Sequence, residues 1–96
     1  METTVRDNPE ESRYEIRDGD RVLGLAAYER RGDTTVFTHT EVDQDAGEDG
    51  VGSTLVRSAL DDVRDRGGSV VAQCPFVRGW IERHPDYADL VAAPGR

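Results

Sequence analysis

His39, Glu41 and Cys74 are the side chains in this 96-residue chain best suited to move a proton or attack an electrophile. An imidazole titrates near neutrality and serves as a general base. His39 reads either as such a base or as a half-buried strand histidine bonded to a neighbour. Glu41 lies two residues on. In an extended strand it shares the face of His39, because side chains alternate with period two. It would hold a water or an amine there, or stand as an ordinary exposed carboxylate. Cys74 is the single cysteine. Its thiol reads as a nucleophile near an imidazole, as an acid for a departing group, or as a small buried side chain. His84, before Pro85, reads as a cap or packing residue. No pair among His39, Glu41, Cys74 and His84 has metal-site spacing, so no metal is expected.

A second feature concerns backbone rather than side chains. The segment Gly50-Val51-Gly52-Ser53-Thr54 joins a strand-like run to a helix-like run. Two glycines one residue apart let a ligand approach the backbone closely. The first amides of a helix have no partner inside it, and the helix dipole adds positive potential, so the segment suits a phosphate or pyrophosphate. The bland reading is a plain turn.

These residues need elements to position them. Arg13 to Arg17, Arg21 to Arg31 and Thr34 to Val42 read as strands, separated by the turn signals Gly19-Asp20 and Gly32-Asp33. They form an antiparallel meander. Period two puts Val36, Thr38, Thr40 and Val42 on one face of the third strand, with Phe37, His39 and Glu41 on the other. Val51, Leu55, Ala59, Leu60 and Val63 follow helical spacing, and Gly67-Gly68 ends that helix. Ser69 to Cys74 reads as a buried strand, parallel to the third because a right-handed crossover joins them. Phe76, Val77, Trp80 and Ile81 fit one face of a short second helix that Pro85 stops. Trp80 and Phe76 read as core, with Phe76 near enough to the opening to line it, and Tyr87 packs the C-terminal segment. Residues 1–12 read as a disordered lead-in, 13–92 as one domain and 93–96 as a tail.

Composition narrows the function classes. There are 20 acidic and 12 basic residues, for a formal net charge of -8. Every basic residue is arginine. Such a surface disfavours nucleic acid, which is held by cationic contacts to phosphate. Carboxylates in excess and no lysine suit a salt-accumulating halophile, where screening relieves their repulsion. An acidic protein from a GC-rich genome is the alternative. A single cysteine fits a reducing cytoplasm. No apolar run reaches membrane-spanning length.

Four motifs occur in order: His39-Thr40-Glu41-Val42, Gly50-Val51-Gly52-Ser53, Cys74-Pro75-Phe76-Val77 and His84-Pro85-Asp86-Tyr87. Together they resemble the GNAT superfamily of acetyl-CoA-dependent acetyltransferases, in particular its small single-domain branch. The resemblance spans about residues 12 to 92. It implies a truncated α/β GNAT-like fold in which the third and fourth strands diverge, with the pantetheine arm of CoA between them. The pyrophosphate would meet the amides of Gly50, Val51, Gly52, Ser53 and Thr54. The backbone of Glu41 and Val42 would pair with the pantetheine, and Phe76 would line the opening. His39 would be the base for an incoming amine and Cys74 an acid or auxiliary nucleophile near it. The acceptor would be a small amine or a protein amino group, and the chain a monomer or weak homodimer. The rival expectation is a non-catalytic CoA-binding sensor or interaction module.

The sequence departs from the superfamily in two places. The loop position often held by Arg or Gln is Gly47, followed by Glu48 and Asp49. Two carboxylates beside a pyrophosphate repel it at low salt. The last helix offers Trp80 where many members carry a tyrosine acid, and an indole is no proton donor of that kind.

Overall fold

The computed structural model describes residues 3–43 and 50–91. Five strands form one sheet in chain order: β1 (Thr4–Asn8), β2 (Arg13–Asp18), β3 (Arg21–Arg31), β4 (Thr34–Val42) and β5 (Ser69–Ala72). The first four are antiparallel, and β5 runs parallel to β4. Between β4 and β5 the chain crosses over through α1 (Val51–Asp65); α2 (Pro75–Arg83) and a 3₁₀ turn (Pro85–Leu90) follow. The expected mixed α/β order is observed.

α1 forms because its apolar residues recur at helical spacing. Val51, Leu55, Val56, Ala59, Leu60 and Val63 are all buried against the sheet. The facing layer is Tyr14, Ile16, Ala26, Tyr28 and Phe37. α2 starts at Pro75, where a missing N–H costs nothing. It adds Val77, Trp80 and Ile81 to the same core. Trp80 is pinned at both ends: its Nε1–H donates to Ser53 Oγ at 2.8 Å, and His84 stacks on it at 3.9 Å.

Two expectations need correction. The proposed disordered lead-in contains β1, paired in register with β2 from Thr4↔Arg17 to Asn8↔Arg13. Its anchor is Asp7, which accepts hydrogen bonds from Tyr28 Oη, Arg30 Nη1 and Arg66 Nη2. Local propensity does not reveal a strand held by partners that far along the chain. The second correction concerns β4. Ala27 pairs with His39 but Tyr28 pairs with Phe37, so Thr38 is an extra residue in a bulge. Alternation resets there. Phe37 joins Thr40 and Val42 on the α1 face, while His39 and Glu41 leave by the opposite face.

Asp7→Ala should therefore cost about 2 kcal/mol, because it strands the partly buried Arg30 guanidinium. A urea midpoint unchanged from wild type would restore the lead-in reading.

Alkali provides a second test. Burial, then the bond to Asp7, raises the Tyr28 pKa to about 12, and burial, then the bond to Asp62, pushes Tyr14 upward as well. A raised pKa means the folded state holds the proton more tightly. The resulting stabilisation is complete below about pH 10, the ordinary phenol value, and is lost as pH rises through about 12. Melting temperature should fall across that window in wild type, and the fall should be smaller in Tyr28→Phe; equal slopes would contradict it.

Candidate active site

The strands β4 and β5 part at Phe37. Its carbonyl accepts both the Gln73 and Cys74 amides at 3.0 Å, and β5 goes no further in register than Ala72. β4 continues alone to Val42. The result is a wedge-shaped opening with α2 starting on one side and the free edge of β4 on the other.

Backbone direction along that edge follows from the ladder. The Asp43 amide bonds Leu23 O, and Glu41 O lies 2.9 Å from where a Cβ on Gly24 of β3 would be. Glu41 thus turns its backbone toward β3, and by alternation Thr40 and Val42 face the opening. Of the expected pair, Val42 turns its backbone to the opening and Glu41 does not; Thr40 does.

At the far side of the opening α1 begins. Gly50 holds φ at 99°, a left-handed conformation, and no side chain among the described residues caps the helix. The Thr54 amide already donates to Gly50 O at 2.7 Å, which removes it from the expected anion-binding set. Val51 buries its side chain, and the Ser53 hydroxyl is taken up by Trp80, so both offer a ligand mainly their amides. Gly52 is required by packing: a Cβ there would meet Phe76 Cζ at 2.6 Å and Val42 Cγ2 at 3.3 Å. Phe76 remains 42% exposed and stands over Gly52 beside Val42. Gly47, Glu48 and Asp49 lie outside the described residues.

The structure brings His39 and Glu41 together and separates both from Cys74. His39 Nε2 lies 2.7 Å from Glu41 Oε2, with side chains 60% and 66% exposed. If Glu41 accepts an Nε2–H, the lone pair sits on Nδ1. Cys74 is buried on the α1 side of the sheet, its Sγ 3.3 Å from Thr40 Oγ1. Consecutive residues His39 and Thr40 project to opposite faces, so the expected pairing of His39 with Cys74 is not formed.

The thiol has its own environment. Burial pushes the Cys74 pKa up, but the Thr40 hydroxyl and the amides of Val77, Phe76 and Thr40 outweigh it and hold the pKa below that of an ordinary thiol. A rotatable hydroxyl accepts from the thiol and donates to the thiolate, so Thr40 serves either form. Sequence reading missed Thr40 as Cys74's partner because the bulge hides which β4 residues face α1. Tyr87 and His84 pack the C-terminal segment: Tyr87 Oη donates to Asp61, and His84 Nδ1 lies 2.7 Å from Trp80 O. Among the described residues no group of His, Cys, Asp or Glu is arranged to hold a metal, and no helix is long and apolar enough to cross a membrane.

Known proteins share this architecture. A solution structure of a GCN5-like protein from Staphylococcus aureus superposes with a TM-score of 0.71 at 22% identity, over 94% of this chain and 88% of that one. The ribosomal-protein-S18-alanine N-acetyltransferase from Escherichia coli gives 0.63 at 16% identity, over 75% of this chain and 50% of the enzyme. No curated protein matches the chain. A family model for the GCN5-related N-acetyltransferases matches residues 13–90, from the start of β2 to the end of the 3₁₀ turn. With the matched span holding the parted strands, the uncapped helix start and the thiol at α2, the chain belongs to the GCN5-related N-acetyltransferase family.

Proposed function

We propose that the protein transfers the acetyl group of acetyl-CoA to a primary amine, either a small molecule or a protein amino group. The observation that carries this reading is the parting of β4 from β5 beside an uncapped helix start. An extended pantetheine arm would pair with the Thr40 carbonyl and the Val42 amide like an added strand. Its pyrophosphate would meet the amides of Val51, Gly52 and Ser53. Phe76 would shift to admit it.

His39 and Glu41 stand on the solvent-facing side of β4, where an acceptor can approach. The His39 imidazole would take the proton from the incoming ammonium, and Glu41 would orient the ring. The amine nitrogen then bonds the acetyl carbon as the carbon–sulfur bond breaks. Backbone amides at the opening favour the developing oxyanion. The departing thiolate takes a proton from Cys74 or water; a thiol held below its ordinary pKa gives one up readily. An alternative reading, a CoA-binding module without turnover, is favoured by the separation of Cys74 from His39.

Intact mass and thiol release with acetyl-CoA distinguish these readings. Release of CoA that depends on added amine supports direct transfer. Acetyl-Cys74 without an acceptor supports a covalent route. Saturable CoA binding with neither supports the module.

The excess of acidic residues and the lack of lysine support a cytoplasm of high salt as the protein's setting. With a formal net charge of -8, its melting temperature should rise as KCl goes from about 0.1 M to molar levels, where the Debye length falls from ~10 Å to ~3 Å. A flat melting curve would remove the halophile reading.

A further inference from the structure

The arginines are not used alike. Every arginine of β2 and β3 is ion-paired, as are Arg64 and Arg66 at the end of α1. Among the described residues Arg6, Arg57, Arg78 and Arg83 hold no carboxylate, although the chain has 20 acidic residues; Arg6 lies on β1 and Arg78 donates to the Ala72 and Gln73 carbonyls, which leaves Arg57 and Arg83 on the helices. Arg57 sits where α1 meets α2, and Arg83 is the last residue of α2. Arg57 follows Ser53 by one turn on the α2 side of α1, its guanidinium 5.6 Å from the centre of the Trp80 ring and beside the Tyr87 hydroxyl. Asp61, the carboxylate one turn further on, is occupied by Tyr87. Arg83 shares the face of α2 that carries Phe76, seven residues earlier, as helical periodicity requires. Its guanidinium folds back toward the helix start: Nη1 lies 3.5 Å from where a Cβ on Gly79 would be. Gly79 leaves the surface open there.

From these positions we infer that Arg57 and Arg83 form the subsite for the 3′-phosphate of CoA's adenosine. The inference rests on the CoA reading above. The distances support it. The pyrophosphate and the 3′-phosphate hang from one ribose, and Arg57 stands one turn, about 6 Å of rise, past the amides proposed for the pyrophosphate. Guanidinium groups bind phosphate through charge-assisted, often bidentate hydrogen bonds. Arg57 and Arg83, with no carboxylate partner among the described residues, keep their charge for an anion. The pair also supplies the cation that the loop lacks at Gly47.

The test compares CoA with 3′-dephospho-CoA by calorimetry at 0.1 M KCl, with wild type, Arg57→Gln/Arg83→Gln and Arg31→Gln. Arg31 is exposed and paired with Glu29 at the end of β3, so its replacement changes net charge away from the site. Wild type should bind CoA about tenfold more tightly than 3′-dephospho-CoA, the scale of one charged phosphate contact. The double variant should bind both about equally, while Arg31→Gln keeps the wild-type ratio. A wild-type ratio retained in the double variant, or an equal loss in Arg31→Gln, overturns the subsite and leaves the CoA reading intact. If wild type binds neither ligand, the CoA reading itself fails and the subsite with it.

Discussion

Gly52→Val abolishes CoA binding and also lowers stability by about 1–3 kcal/mol. The added side chain collides first with Phe76 Cζ, 2.6 Å from the Cβ position, and then with Val42. It also crowds the first-turn amides. Packing and binding are separated by adding Phe76→Ala, which removes the closer of the two collisions. The double variant should regain stability relative to Gly52→Val in denaturant titrations and still fail to bind CoA. Full CoA affinity in that double variant would show that the helix start is not the pyrophosphate site.

His39→Ala lowers kcat by about 10²–10⁴-fold, the usual contribution of a positioned base, with CoA affinity changed less than about twofold. The imidazole is more than half exposed and packs into no core, so stability should move little. Glu41→Gln should give a smaller loss of turnover, since it leaves the base in place and removes only its charged partner. Equal turnover in His39→Ala and wild type would assign the base elsewhere. A large loss of stability in His39→Ala would mark the residue as structural.

Much of this architecture is legible in the sequence, for physical reasons. The apolar spacing from Val51 to Val63 admits one helix, and the punctuation at Gly19, Gly32, Gly67 and Pro85 fixes where chains turn. β2 to β5 follow from period-two runs between those signals. β1 does not, because Thr4 and Val5 are its only strand-forming residues and its anchor, Asp7, finds partners at Tyr28, Arg30 and Arg66. The bulge at Thr38 leaves no trace either, since threonine suits a regular strand equally well. That one extra residue decides the site: it moves Phe37 to the core face and turns His39 away from Cys74.

Long-range polar pairing was equally hidden. Glu15, a strand carboxylate, is 2% exposed and held by Arg13, Arg17 and Asn8. Those bonds outweigh burial and hold its pKa below the usual carboxylate range. The Ser53 hydroxyl belongs to Trp80 rather than to an open phosphate loop. Arg57 and Arg83 stand out only once the arginines of β2, β3 and the end of α1 are seen to be paired.

The central claim is that CoA enters the opening between β4 and β5 with its pyrophosphate on the first turn of α1. An amide-resolved NMR titration of the whole chain with CoA tests it most directly. Saturable shifts should appear at Thr40, Val42, Val51, Gly52 and Ser53, with Phe76 ring resonances moving in step as the ring leaves Gly52. No saturable shift, or shifts confined to β1, β2 and the far end of β3, would contradict the account.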